Sequence, residues 1–159
     1  MTIGFCGSQN GMNSFQENEV LRIFDNIQPQ TLHHGDTVGA DSQCHYDFLR
    51  WHARNDYEDR VIIIHPPVDF KKRAFVDDEK KIGNSLREQL LKCKHSVKII
   101  TLEPFAYLER NRHIVDAVEK MIATPKEVEH TLRSGTWATI RYAWKQKKEV
   151  RVIPPLFAA

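Results

Sequence analysis

The sequence predicts an α/β domain, a mainly parallel central sheet with helices packed on both faces, from a few local patterns. Short apolar runs alternate with stretches of helical period along the whole chain. Arg60-Val-Ile-Ile-Ile-His-Pro-Pro is apolar without alternation and stops at proline, as a strand buried on both faces does. Three strand-to-helix junctions are rich in glycine and small polar residues. A length of 159 residues with 41% hydrophobic content suits one core, so residues 1–159 are read as one domain.

Taken in order, Thr2 to Cys6 reads as a buried strand running into a turn at Gly7 and Ser8. Ser14-Phe-Gln-Glu17 reads as a capping box, with Val20, Leu21, Phe24 and Ile27 at helical spacing before Pro29. Thr31 to His34 is a second strand, and Gly35 and Gly39 precede a helix with Ala40, Cys44, Phe48 and His52 on one face. Residues 68–84 are dense in charge and are expected to form a long surface loop before a helix over Ser85 to Cys93. Val97 to Leu102 is either a strand or an extended connection, and Pro104 marks the start of a helix carrying Leu108, Ile114, Val115 and Val118. Glu119 to Thr124 is a strand, Ser134 opens a helix with Trp137, Ile140 and Trp144 as its apolar stripe, and Val150-Arg-Val-Ile-Pro closes the sheet. Strands and helices alternating in this way imply right-handed crossovers.

Composition narrows the function. Lys and Arg total 23 against 21 acids, a net charge of +2 that neither demands nor excludes nucleic acid. No apolar run approaches the ~20 residues that span a bilayer and no leader pattern opens the chain, so no membrane association and a cytoplasmic location are expected. Cys6, Cys44 and Cys93 are odd in number and far apart, which suits reduced thiols. His33, His34, His45 and His52 lack Cys-x-x-Cys or His-x-x-x-His spacing, so they read as satisfied surface histidines, with no metal and no cofactor expected. No Gly-Lys-Ser/Thr phosphate loop is present.

The chemistry points to an anion. Ser134-Gly135-Thr136 opens a helix just after a strand, where unpaired N–H groups and the helix dipole both favour negative charge. In an open α/β sheet that turn would converge with Gly7-Ser8 and Gly35 to Asp41 at the carboxyl ends of the strands. Ser134 also serves as a simple helix cap, and Asp36 and Asp41 as caps for the helix after Gly39.

The strand ending Gly7-Ser8, the turn Gly35-Asp-Thr-Val-Gly-Ala-Asp41, Tyr107-Leu-Glu-Arg-Asn-Arg112 and Ser134-Gly-Thr-Trp-Ala-Thr139 together resemble the SLOG superfamily over nearly the whole chain. That family includes cytokinin-activating phosphoribohydrolases, relatives of the DNA-processing protein of natural transformation, and sensor domains for NAD-derived or ADP-ribose-like signals. The resemblance implies a Rossmann-like three-layer sandwich binding a nucleotide-type small molecule. Gly7, Ser8, Gly35, Asp36, Gly39 and Asp41 would line the crevice, while Arg133, Ser134, Gly135 and Thr136 would hold phosphate. Arg110, Asn111 and Arg112 would contact ligand or stabilise their helix; two positions apart, the arginines point in different directions. A homodimer or higher homo-oligomer is also implied, with aromatics such as Trp51 or Tyr142 available for its interface.

The departures bear on turnover. The phosphoribohydrolases carry Pro-Gly-Gly-x-Gly-Thr-x-x-Glu, and their glutamate serves glycosidic cleavage. Here Leu132 and Arg133 replace the first two glycines and Thr139 replaces the glutamate, so that route lacks its carboxylate. The expected function is therefore binding of an AMP-, ADP-ribose- or cyclic ADP-ribose-type ligand, as sensor or sink. An N-glycosidase or phosphoribohydrolase-type enzyme is the alternative, with Asp41 or Glu109 as its carboxylate. Single-stranded nucleic-acid binding through Phe70, Lys71, Lys72, Arg73 and Phe75 ranks below nucleotide binding, because Asp77, Asp78 and Glu79 follow at once.

Overall fold

The computed structural model describes residues 1–156. Six strands form one all-parallel sheet in the order β4-β3-β2-β1-β5-β6: β1 (Thr2–Gly7), β2 (Thr31–His34), β3 (Arg60–Ile64), β4 (Val97–Thr101), β5 (Lys120–Thr124) and β6 (Glu149–Val152). The helices are α1 (Ser14–Ile27), α2 (Ala40–Arg54), α3 (Asn84–Leu91), α4 (Tyr107–Ala117) and α5 (Gly135–Lys145). This is the α/β layering expected from the alternation of apolar runs and helical periods, and the Rossmann-like three-layer arrangement that the resemblance implied.

Each face of the sheet has its own core. Ile3, Phe5, Leu32, Ile62 and Ile64 pack with Val20 and Phe24 of α1, Cys44, Phe48 and Trp51 of α2, and Leu86 of α3. On the other face Cys6, Met121 and Ala123 meet Ile114 and Val115 of α4 and Trp137, Ile140 and Ala143 of α5. Gly4 lets α4 come down on β1, because a Cβ there would lie 2.5 Å from Met121 Sδ and 2.9 Å from Ile114. The three cysteines are free thiols.

Several local details differ from the sequence reading. The capping box of α1 is built by Asn13 and Gln16, one residue earlier than Ser14 and Glu17: Asn13 Oδ1 accepts the Gln16 N–H at 2.9 Å, and Gln16 Oε1 accepts the Asn13 N–H at 3.1 Å. Gln16 is buried and its amide also donates to the carbonyls of Pro125 and Ile153, a tertiary role that selects it. Val97–Thr101 is a strand, and α4 begins at Tyr107, three residues beyond Pro104. Trp144 leaves the stripe of Trp137 and Ile140 and is half exposed in the last turn of α5. Trp51 lies in the core, 2% exposed, its indole N–H on Asp25 and its ring under the Arg60 guanidinium at 4.3 Å, so it offers no face to a second copy.

His33, His34, His45 and His52, expected at the surface, are all buried. Their reason is tertiary: each ring finds a buried partner that linear spacing does not reveal, described below. The charged segment 68–84 is anchored through its interior, where Val76 enters the core and Ala74 and Ile82 pack against it. Among the described residues no helix is long and apolar enough to cross a membrane.

Candidate functional site: a cleft between β1 and β5

The strand order reverses at β1, which has β2 on one side and β5 on the other. Connections leave the sheet in opposite directions at such a point, so the carboxyl ends of the two strands part and leave a crevice. The chain closes its floor with backbone bonds: Ser8 N–H to the Thr124 carbonyl at 3.1 Å, and Ala40 and Gly11 N–H both to the Ser8 carbonyl at 3.0 Å. Ser8 Oγ accepts the Asn10 N–H and shapes the turn. Gly39, at φ +100°, lets α2 start directly against this turn, since a Cβ there would lie 2.3 Å from the Gln9 carbonyl oxygen.

The resulting cleft has a volume of about 340 Å³. Gly7, Ser8, Gln9 and Asn10 form one wall, Tyr107 contributes from the start of α4, and Lys126, Glu127, Thr131, Arg133, Ser134, Gly135 and Thr136 form the other wall. Ser134 caps α5 by accepting the Trp137 N–H at 3.2 Å, and its carbonyl takes the Ala138 N–H. The N–H groups of Gly135 and Thr136 are left without a partner among the described residues. The Thr136 side chain is 5% exposed, and its hydroxyl makes no hydrogen bond among them either. Arg141 props the loop before the helix through the Thr131 and Leu132 carbonyls at 3.1 and 3.3 Å. Gly135 is packed against Tyr107, whose Oη would lie 2.5 Å from a Cβ on that glycine.

The structure separates the other residues named from the sequence into a network beside the cleft. Arg110 is 2% exposed and donates to the carbonyls of Gly35 and His65 and to Thr37 Oγ1, with its guanidinium 5.0 Å from the Tyr107 ring centroid. Asp41 accepts the Thr37 N–H at 3.1 Å; burial raises its pKa to about 6, with the Arg110 charge pulling the other way. Asp36 is wholly buried at φ +53°, ion-paired to Arg73 at 2.7 Å and accepting the N–H groups of Phe75 and Val76. It ties down segment 68–84. Asn111 donates to Thr139 Oγ1 at 2.8 Å between α4 and α5, Arg112 lies over the Tyr142 ring, and Glu109 is exposed on α4. Thus Gly7, Ser8, Arg133, Ser134, Gly135 and Thr136 share the cleft, and Gly35, Asp36, Gly39, Asp41, Glu109, Arg110, Asn111 and Arg112 are not among its lining residues.

No family model matches the chain, and no curated protein matches it. Among solved structures, the chain is similar to DNA processing protein A (DprA) from Streptococcus pneumoniae, with a TM-score of 0.62 over 98% of this chain at 17% identity. It shares the DprA fold. The chain spans 51% of the length of that protein. DprA is also of the kind that the sequence resemblance named.

The histidines near the ends of β2 and β3 have an explicit arrangement. His34 Nδ1 accepts the Asp36 N–H, so its Nε2–H donates to His45 Nδ1 at 2.9 Å, leaving His45 Nε2–H buried without a partner. His33 Nδ1 and His65 Nε2 lie 2.8 Å apart. Burial holds His33 and His45 down to about 4 and His65 to about 3, so all are neutral near pH 7. A three-donor group of metal-ligand type, His52, Asp56 and Cys93, has its atoms within 4.8 Å of one another. Its donors are already engaged: Arg60 Nη1 donates to His52 Nδ1, so His52 Nε2–H donates to the His95 carbonyl, and Asp56 accepts the Lys94 and His95 N–H groups. Both ring nitrogens of His52 are therefore occupied, and a metal would have to displace one of these bonds.

Gln9, Asn10, Tyr107, Lys126, Glu127 and Thr131 line the cleft but were not among the site residues expected from the sequence. Lys126 to Thr131 precede the capped start of α5 and reach the cleft with it; Tyr107, although it opens one of the motifs that carry the resemblance, reaches the cleft because α4 crosses β1.

Proposed function

We propose that the protein binds a nucleotide or nucleotide-derived ligand, of the AMP, ADP-ribose or cyclic ADP-ribose type, in the β1–β5 cleft, as a sensor or a sink. The observation that carries this reading is the meeting in one cleft of the unpaired N–H groups at the start of α5, the unpartnered Thr136 hydroxyl and the side chains of Lys126 and Arg133. Donors and positive charge at a helix N-terminus favour a phosphate. Binding is favoured over turnover because Thr139, which stands at the family's glutamate position, is engaged with Asn111 and the Gly135 carbonyl, and because Asp41 lies outside the cleft lining.

Thermal unfolding with AMP, ADP-ribose, cyclic ADP-ribose and NAD tests this, with released base assayed in the same samples. A ligand at a hundred times its Kd adds ~2.7 kcal/mol, raising Tm by roughly 5–10 °C for a chain of this size. A shift with intact ligand supports binding, a shift with free base supports the enzyme, and no shift with any of them overturns the reading. Gly135→Asp is a poor probe of this cradle, since its Cβ alone displaces Tyr107; Lys126→Glu with Arg133→Glu reverses charge on two exposed side chains.

Single-stranded nucleic acid is the second reading, supported by Phe70, 65% exposed, with Lys71 and Lys72 at the same carboxyl end of the sheet. The Lys72 carbonyl accepts the Val38 N–H, which holds this patch beside the strand ends. A steep fall of affinity for an oligonucleotide with salt would support it.

A further inference from the structure

Tyr107 brings to the cleft a donor that the protein itself does not use. It is the first residue of α4, a helix whose N-terminus has no side-chain cap, and it lines the cleft with the start of α5. Its ring is held from two sides. The Arg110 guanidinium lies 5.0 Å from the ring centroid and is itself fixed by the carbonyls of Gly35 and His65 and by Thr37 Oγ1. The hydroxyl end of the ring rests on Gly135, where a Cβ would be 2.5 Å from Oη. The phenol oxygen keeps accessible surface and donates to no group among the described residues.

The Gly135 nitrogen is two bonds from that Cβ position, so Oη and the unpaired Gly135 N–H lie within about 5 Å of each other. An acceptor oxygen sits roughly 3 Å from each of its donors, so one phosphate group can take a hydrogen bond from both. We infer that Tyr107 donates its hydroxyl to the phosphate of the ligand and completes, with the Gly135 and Thr136 N–H groups and the Thr136 hydroxyl, one oxyanion site between the starts of α4 and α5. This rests on the nucleotide reading above and adds Tyr107 to it as a binding residue. Thr136, 5% exposed with its hydroxyl unpartnered, shows that the site is built for an acceptor from outside the chain. A neutral donor suits position 107, because a cation there would face Arg110, and burial pushes the phenol pKa up so that its proton is retained. Glycine at 135 follows from the same contact, since a side chain would drive the hydroxyl away from the N–H.

Isothermal titration calorimetry of the full chain with AMP, and with inorganic phosphate as a competitor, tests this on the unmodified protein and on Tyr107→Phe. Phenylalanine keeps the ring against Gly135 and Arg110 and removes only the donor. AMP affinity should fall roughly tenfold, the range of one hydrogen bond to a charged group, and phosphate affinity by the same factor, because the lost donor acts on the group that the two share. The unliganded variant should unfold at the temperature of the parent. Unchanged AMP affinity overturns the inference, and so does a loss confined to AMP, which would place Tyr107 on the sugar or the base. Weaker binding together with a lowered midpoint of the unliganded variant also overturns it, since the phenol would then act through the packing of α5. All three outcomes leave nucleotide binding by the unmodified protein intact. Absence of AMP binding to the unmodified protein removes the nucleotide reading itself and this inference with it.

Discussion

Asp36 shows how a residue with a functional look comes to hold structure. It sits in a glycine-flanked turn of the kind that often faces ligand, yet its carboxylate binds Arg73 and two backbone N–H groups of a segment nearly forty positions away. Burial pushes its pKa up, and the Arg73 hydrogen bond and charge pull it back. Asp36→Ala leaves the Arg73 guanidinium and the Phe75 and Val76 N–H groups without their acceptor and places alanine at φ +53°. The expected cost is roughly 3 kcal/mol, read as a lower urea midpoint. Proteolysis of the variant should cut first within residues 68–84; a variant as stable as the parent would show that Asp36 does not anchor that segment.

Arg110 follows the same logic. Two arginines, Arg110 and Arg112, stand two positions apart at a helix start, and the sequence permits either to point inward. The sheet decides, because Gly35 and His65 offer bare carbonyls where α4 crosses. A Cβ on Gly35 would overlap the guanidinium, so that glycine is required by close approach.

At the scale of elements, the ends of β2 and β3 and the start of α2 hold neutral histidines in two hydrogen-bonded pairs. In the unfolded chain each would titrate near its ordinary value of 6.5, while burial holds His33, His45 and His65 to about 4, 4 and 3 and His34 well below 6.5. Between pH 6.5 and 4 the unfolded chain therefore binds more protons at these rings, and stability is lost as pH falls. Asp36, Asp41 and Asp47, all raised by burial and the last two to about 6 and about 7, oppose this, since the folded state takes up their protons first. The histidines outnumber them. The urea midpoint should fall from pH 7 to pH 5, and His65→Gln should flatten the dependence; a midpoint rising toward pH 5 would show that the carboxylates dominate.

The long apolar strand β3 and the period of α1 and α2 were legible because burial there needs only the right residue types. The stripe assigned to α5 was partly misread, as Trp144 ends on the outside. Helical spacing gives a face but not how far the sheet extends beneath it.

At the scale of the whole molecule, one topological feature creates the cleft. Reversal of strand order at β1 brings together residues over a hundred positions apart, Gly7 to Asn10 and Lys126 to Thr136. A ligand there touches both halves of the sheet at once. Hydrogen exchange with saturating AMP should slow amides in residues 7–11 and 134–137 together and leave 68–84 unchanged. Protection centred on 68–84 would move the site to the Phe70 patch and favour nucleic acid.

The layer architecture, the strand-to-helix turns and the capped start of α5 are written in the sequence, because apolar period, glycine and caps act over a few residues. Which of those turns share a cleft, the inward placement of Asp36, Asp41 and Arg110, and the arrival of Tyr107 and Glu127 at the cleft lining are settled by packing across the sheet. Those outcomes depend on strand order and helix crossing, which are set by contacts between residues far apart in the chain and leave no local pattern.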